Sequence, residues 1–130
     1  MPLVARVFVP PAHIIDRVMV AVTEEQHRQG LKDLKKFPAN AGGMLFVFKR
    51  PGPVTITMVG VLFPLDIVFL SPERKVTKVI TAEPGTAQVP WEGSFVLELP
   101  AGFAGRAGIS VGKFRCTSRT VREVAVMMNS

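Results

Sequence analysis

The stretch GMLFVFKRPGPVTITMVGVLFPLDIVFL, residues 43–70, constrains the fold more than any other part of the chain. It holds three apolar runs, 44–48, 54–61 and 65–70, separated only by Arg50-Pro51-Gly52-Pro53 and by Phe63-Pro64. Short runs rich in Val, Ile and Phe, punctuated by Pro and Gly, read as core β-strands. One acid, Asp66, sits inside the third run. It is the first residue to need an explanation.

The remainder of the chain supplies more short strands around this centre. Residues 3–9 alternate and stop at Pro10-Pro11, which remove backbone donors, so they form a terminal or edge strand. Residues 16–22, DRVMVAV, are a second strand with Val18, Val20 and Val22 on one face. Thr23 and Gln26 have capping-box spacing and open a helix near 24–36, with His27, Leu31, Leu34 and Phe37 on one stripe and Arg28, Lys32, Lys35 and Lys36 toward solvent. Gly30 inside that helix costs about 1 kcal/mol relative to Ala; an early helix end or a close backbone approach accounts for it. Residues 49–53 and 71–75 read as turns, and 76–82 and 94–99 as strands. Residues 83–93 form an irregular connection that carries Trp91, the only tryptophan. A short helix near 101–107 ends at Gly108, and 111–115 restart a strand. Residues 120–128 fit a helix or a strand, their valines favouring the strand. The pattern is that of an α+β domain, mainly antiparallel β, curled into a small, partly closed barrel. The 130 residues make one domain, with a core at 16–115, the N-terminal strand at 3–9 and a C-terminal extension at 117–130.

Composition excludes several functions. No run approaches the roughly eighteen apolar residues of a membrane span, and the first residues lack the pattern of a signal peptide. The expected location is therefore the cytoplasm, or a particle assembled there. With one cysteine, Cys116, and two histidines, His13 and His27, neither an intrachain disulfide nor a Cys/His metal cluster can form, and no cofactor motif is present. The net charge of +6 invites a nucleic-acid reading, with Arg115, Arg119 and Arg122 as its candidates. Against it, the basic residues are dispersed and no aromatic side chains are interleaved with them. Apolar residues reach 48% with aromatics at only 8%, and mean hydropathy is +0.31. That much aliphatic surface suggests cover by a partner or by a second copy.

The order of motifs resembles the uncharacterised family catalogued as domain of unknown function 192. The resemblance rests on Gly30-Leu31, Gly43-Met44-Leu45-Phe46-Val47-Phe48, Pro64-Leu65-Asp66-Ile67-Val68-Phe69, Val96-Leu97-Glu98 and Gly108-Ile109-Ser110-Val111-Gly112, and spans about residues 16–115. It implies a fold and no activity. This chain departs from the pattern twice. Met58-Val59-Gly60 stands where the family shows Met-Lys-Asn, and Lys32 stands where an apolar residue is common. The first departure removes polar partners that Asp66 would have had, and so moves Asp66 toward architecture.

The candidate chemistry is correspondingly sparse. An ionised acid within an apolar strand must be paired, hydrogen-bonded or neutralised. Asp66 is expected to accept backbone N–H bonds, closing the loop at 60–64, or else to form an acid/base or ligand site with Glu98 and His27. Trp91, Val124, Val126, Met127 and Met128 are the candidate interface residues. No complete catalytic set is visible. The expected function is thus a non-catalytic, β-rich assembly module, a subunit of a homo-oligomer or larger complex, a virion component being one such case. Two alternatives remain: a small-ligand binder or hydrolase-like enzyme using Asp66 and Glu98, and a basic nucleic-acid binder.

Overall fold

Strand pairing explains most of the sequence pattern. The computed structural model describes residues 3–9, 13–86, 89–112 and 117–120. Among the described residues seven strands form one sheet: β1 (Leu3–Val9), β2 (His13–Ala21), β3 (Gly43–Ile56), β4 (Leu65–Leu70), β5 (Val76–Ala82), β6 (Val89–Pro100) and β7 (Thr117–Thr120). Their order is β5-β4-β6-β3-β2-β1-β7. Every pairing is antiparallel except β2 with β3, which is parallel. A parallel pair needs a crossover connection, and here it contains the helix α1 (Glu24–Gln29). A second short helix, α2 (Phe103–Ala107), follows β6. The sheet is curled but open, with β5 and β7 at its edges. The fold is α+β and mainly antiparallel, as the strand pattern implied.

The curl gives the sheet two faces with separate cores. Ala5, Val7, Val18, Val20, Leu45, Val47, Val68, Leu70, Leu97 and Leu99 pack on the inner face, and Ala104 and Ala107 of α2 join them. Ala21, Met44, Phe46, Ile67, Phe69 and Val96 pack on the outer face with Leu31, Met58 and Val61 from the connecting segments. β4 is buried at every position because both of its faces are covered, which is why it reads as an unbroken apolar run.

Four local expectations need correction. The helix expected over 24–36 stops at Gln29: Gly30 is its C-cap at φ +46°, and residues 31–33 form a turn that leaves Leu34 exposed. The 49–53 segment is no turn between strands. β3 runs through it to Ile56, paired with β6 on both sides of a register shift between Val47 and Gly52, and such a bulge accommodates prolines that lack donors. Past Ile56 the run turns, so Val59 and Gly60 are not in a strand. Val111-Gly112 is also a turn, the Gly112 N–H donating to the Val76 carbonyl at 3.0 Å, and residues 113–116 lie outside the described part.

Candidate functional site

Register decides what Asp66 and Glu98 can do together. Between β4 and β6, Asp66 faces Leu99 and Ile67 faces Glu98. Successive side chains point to opposite faces of a strand. Asp66 therefore belongs to the inner face with Leu99, and Glu98 to the outer face beside Met44 and Ile67. The shared site of two carboxylates is ruled out by a one-residue offset.

Asp66 is fully committed to structure. Its Oδ2 accepts from the Ala104 backbone N–H at 2.9 Å, and its Oδ1 accepts from the Thr81 hydroxyl at 2.8 Å. The expected backbone capture occurs, but at the start of α2 rather than at 60–64. α2 has no side-chain cap of its own, since Gly102 stands at its N-cap. Asp66 supplies that acceptor from across the fold and ties the helix to the inner core.

Glu98 is the opposite case. The residue is only 5% exposed, yet among the described residues its carboxyl has no hydrogen-bond or ion-pair partner. Burial alone pushes its pKa from 4.5 up to about 8, so the acid is mostly protonated at neutral pH. It lines a cleft of about 270 Å³ on the outer face. The walls are Leu31, Phe46, Phe48, Ile56 and Val61, with Thr55 and Thr57 on one side and His27, Arg28 and Lys32 on the other.

The residues around this cleft are placed by local sequence. The capping box starts α1: the Thr23 hydroxyl accepts from the Gln26 N–H at 3.1 Å, and Gln26 Oε1 accepts from the Thr23 and Val22 N–H groups. One turn later His27 Nε2 lies 3.0 Å from the Ala21 carbonyl. A carbonyl only accepts, so Nε2 carries a proton and donates. The ring packs on Phe48 and Phe46, with centroids 4.6 and 5.8 Å away. Gly30 then reverses the chain so that Leu31 is buried and Lys32 returns to the cleft.

The two departures from the motif pattern meet here. A Cβ on Gly60, whose φ is +86°, would stand 3.3 Å from Cγ of Lys32, so the lysine stem packs over this glycine. The Gly60 carbonyl also accepts from the Asp33 N–H at 3.0 Å. Gly60 thus clears the space over which Lys32 reaches the cleft.

Of the residues singled out in the sequence, His27 and Glu98 line one cleft and Asp66 does not. His13 is in β2. Trp91 and Arg119 lie in β6 and β7, where only the backbone is described. Arg115, Arg122, Val124, Val126, Met127, Met128 and Cys116 fall outside the described residues. Arg28, Lys32, Thr55 and Thr57 were not singled out as site residues. The alternation at 54–58 marked the threonines as outward but could not show what they would face. Among the described residues no group of His, Cys, Asp and Glu could hold a metal, and no helix is long and apolar enough to cross a membrane.

Fold and cleft together define a small α+β domain whose curled sheet carries an acid-floored cleft on its outer face. The chain belongs to the family of uncharacterised proteins described as domain of unknown function 192, whose model matches residues 9–114. It is similar to the crystal structure of a candidate transcription regulator from Sinorhizobium meliloti 1021, at 29% identity and a TM-score of 0.77, covering 91% of this chain and 94% of that one. It is also similar to a protein of unknown function from Novosphingobium aromaticivorans, at 28% identity and a TM-score of 0.75, covering 85% and 82% of the two chains. Comparison with curated proteins finds no match.

Proposed function

We propose that this domain is a small-molecule binding module whose site is the cleft over Glu98. One observation carries the reading: a carboxyl buried in an apolar layer, without a protein partner among the described residues, that faces a cleft. Leaving a polar group buried and unpaired costs about 1–3 kcal/mol, and folds retain such groups where a ligand completes them. The size suits a small molecule. At about 30 Å³ of liquid volume per water, 270 Å³ matches roughly nine waters, and a second cleft of about 770 Å³ shares His27, Arg28 and Phe48 with it. A screen of fragment-sized molecules against the full chain tests this by NMR. Binding should shift the amide resonances of His27, Phe46, Phe48 and Val61. A varied set that leaves all four unmoved at millimolar concentration would overturn the reading.

Association is a second reading, favoured by a separate surface. On the outer face of β1 and β2, Val4 pairs with Met19 and Phe8 with Ile14. Val4 and Ile14 are 40% and 52% exposed. A second copy or a protein partner covering this hairpin would bury these side chains. The basic nucleic-acid reading has behind it the net charge of +6 and the name of the Sinorhizobium protein.

A further inference from the structure

Resting on the cleft reading above, we infer that the cleft takes a small organic monocarboxylate with an apolar body, aromatic or branched aliphatic, whose carboxylate accepts a hydrogen bond from the Glu98 carboxyl. The charges around the cleft select the sign of the ligand. α1 contributes Arg28 and His27, and the turn after it contributes Lys32. β3 contributes Phe46, Phe48, Thr55, Ile56 and Thr57, none of them charged, and the next loop contributes Val61. On β6, Glu98 meets Ile67 of β4, while Asp66 of β4 faces the other side of the sheet. Among the described lining residues Arg28 and Lys32 are basic, and the single acid is Glu98. Such a rim attracts anions and repels cations.

The hydrogen-bonding capacity of Glu98 selects the ligand's polar group. A neutral carboxylic acid has an O–H to donate, and nothing in the described protein accepts it. A carboxylate is the strongest acceptor available and makes a short O–H···O⁻ bond. Its charge is then offset by Arg28 and Lys32, and its body lies against Leu31, Phe46 and Phe48. The proton stays on the shared bond, so no group is left charged and alone. An amine or amidine would need Glu98 ionised in an apolar layer and would sit beside two cations.

Three probes of one size separate the alternatives: benzoate, benzamide and benzamidine, each titrated into the full chain by NMR at about pH 7 and pH 9. Benzoate is expected to bind at pH 7 and to weaken about tenfold at pH 9, because Glu98, pushed up to about 8, must carry its proton to donate. Glu98→Gln keeps a neutral donor and should bind benzoate equally at both pH values; Glu98→Leu should not bind it, with its folded NMR spectrum as the control. Benzamidine preferred over benzoate, benzamide binding as tightly as benzoate, or benzoate binding unchanged between the two pH values would each overturn the carboxylate assignment while the cleft reading stands. If all three probes leave the His27, Phe46 and Val61 resonances unmoved, and so does the wider fragment set, both fall.

Discussion

Glu98 and Asp66 lie on adjacent strands, offset by one residue, and illustrate two ways of burying an acid. Asp66 is held by two donors that leave its carboxylate satisfied. Asp66→Ala orphans the Ala104 N–H and the Thr81 hydroxyl and is expected to cost about 3 kcal/mol in urea unfolding. Asp66→Asn should cost about 1 kcal/mol: its amide oxygen still accepts from Ala104, and the Thr81 hydroxyl can turn to accept from the amide nitrogen. Neither change should alter binding in the cleft. Glu98 destabilises the fold instead. Its pKa rises from 4.5 to about 8 on folding, so between those values the folded chain holds more protons than the unfolded one. Stability from this group is full below about 4.5, falls as pH climbs to about 8 and is flat above. The total loss is on the order of 5 kcal/mol. Urea midpoints at pH 5 and pH 8 should therefore differ for the unsubstituted chain and much less for Glu98→Gln. A residue that the fold would be more stable without is better explained by function than by architecture.

At the scale of elements, α1 and its ending set the cleft's rim. Gly30 has φ +46° and ψ −126°, a conformation that L side chains resist. A Cβ there would meet the Phe46 ring at 3.5 Å, an ordinary contact, so the cost of substitution lies in the backbone. Gly30→Ala is expected to lose about 1–2 kcal/mol and to weaken ligand binding, because the chain reverses at Gly30 before Lys32 joins the cleft lining. Thermal unfolding and a benzoate titration on the same variant check both. The start of α1 was legible in Thr23 and Gln26 because a capping box is local chemistry. Its end was not, because Leu34 and Phe37 continue the helical spacing and only the packing of Leu31 shows where the chain leaves. β3 misled in the opposite sense. Its Arg50-Pro51-Gly52-Pro53 has the composition of a turn, but β6 lies alongside and pairs on both sides of it. Tertiary pairing overrode a local signal.

For the whole molecule, the order of strands and the family pattern were legible because apolar runs and their breaks report burial directly. The site was not. Asp66 and Glu98 looked alike as lone acids in apolar strands, and only the β4–β6 register sends one inward to α2 and the other outward to the cleft. The same outward face carries the surface on which the association reading rests. The β1–β2 hairpin exposes Val4 and Ile14 beside half-buried Phe8 and Met19, crossed by the Arg6–Asp16 ion pair at 2.6 Å. A stable interface buries about 800 Å² per partner, far more than these side chains present. A net charge of +6 on each copy also opposes approach. Association through this hairpin alone should therefore be weak, with a Kd on the order of 100 µM or higher. Light scattering should find a monomer at low micromolar concentration and a growing dimer at millimolar concentration. Raising salt should favour the dimer by screening like charges, and Ile14→Glu should suppress it. A tight dimer at low micromolar concentration that survives Ile14→Glu would place the interface elsewhere, and substitution of Val124, Val126, Met127 and Met128 by Ser would then test the C-terminal residues as its source.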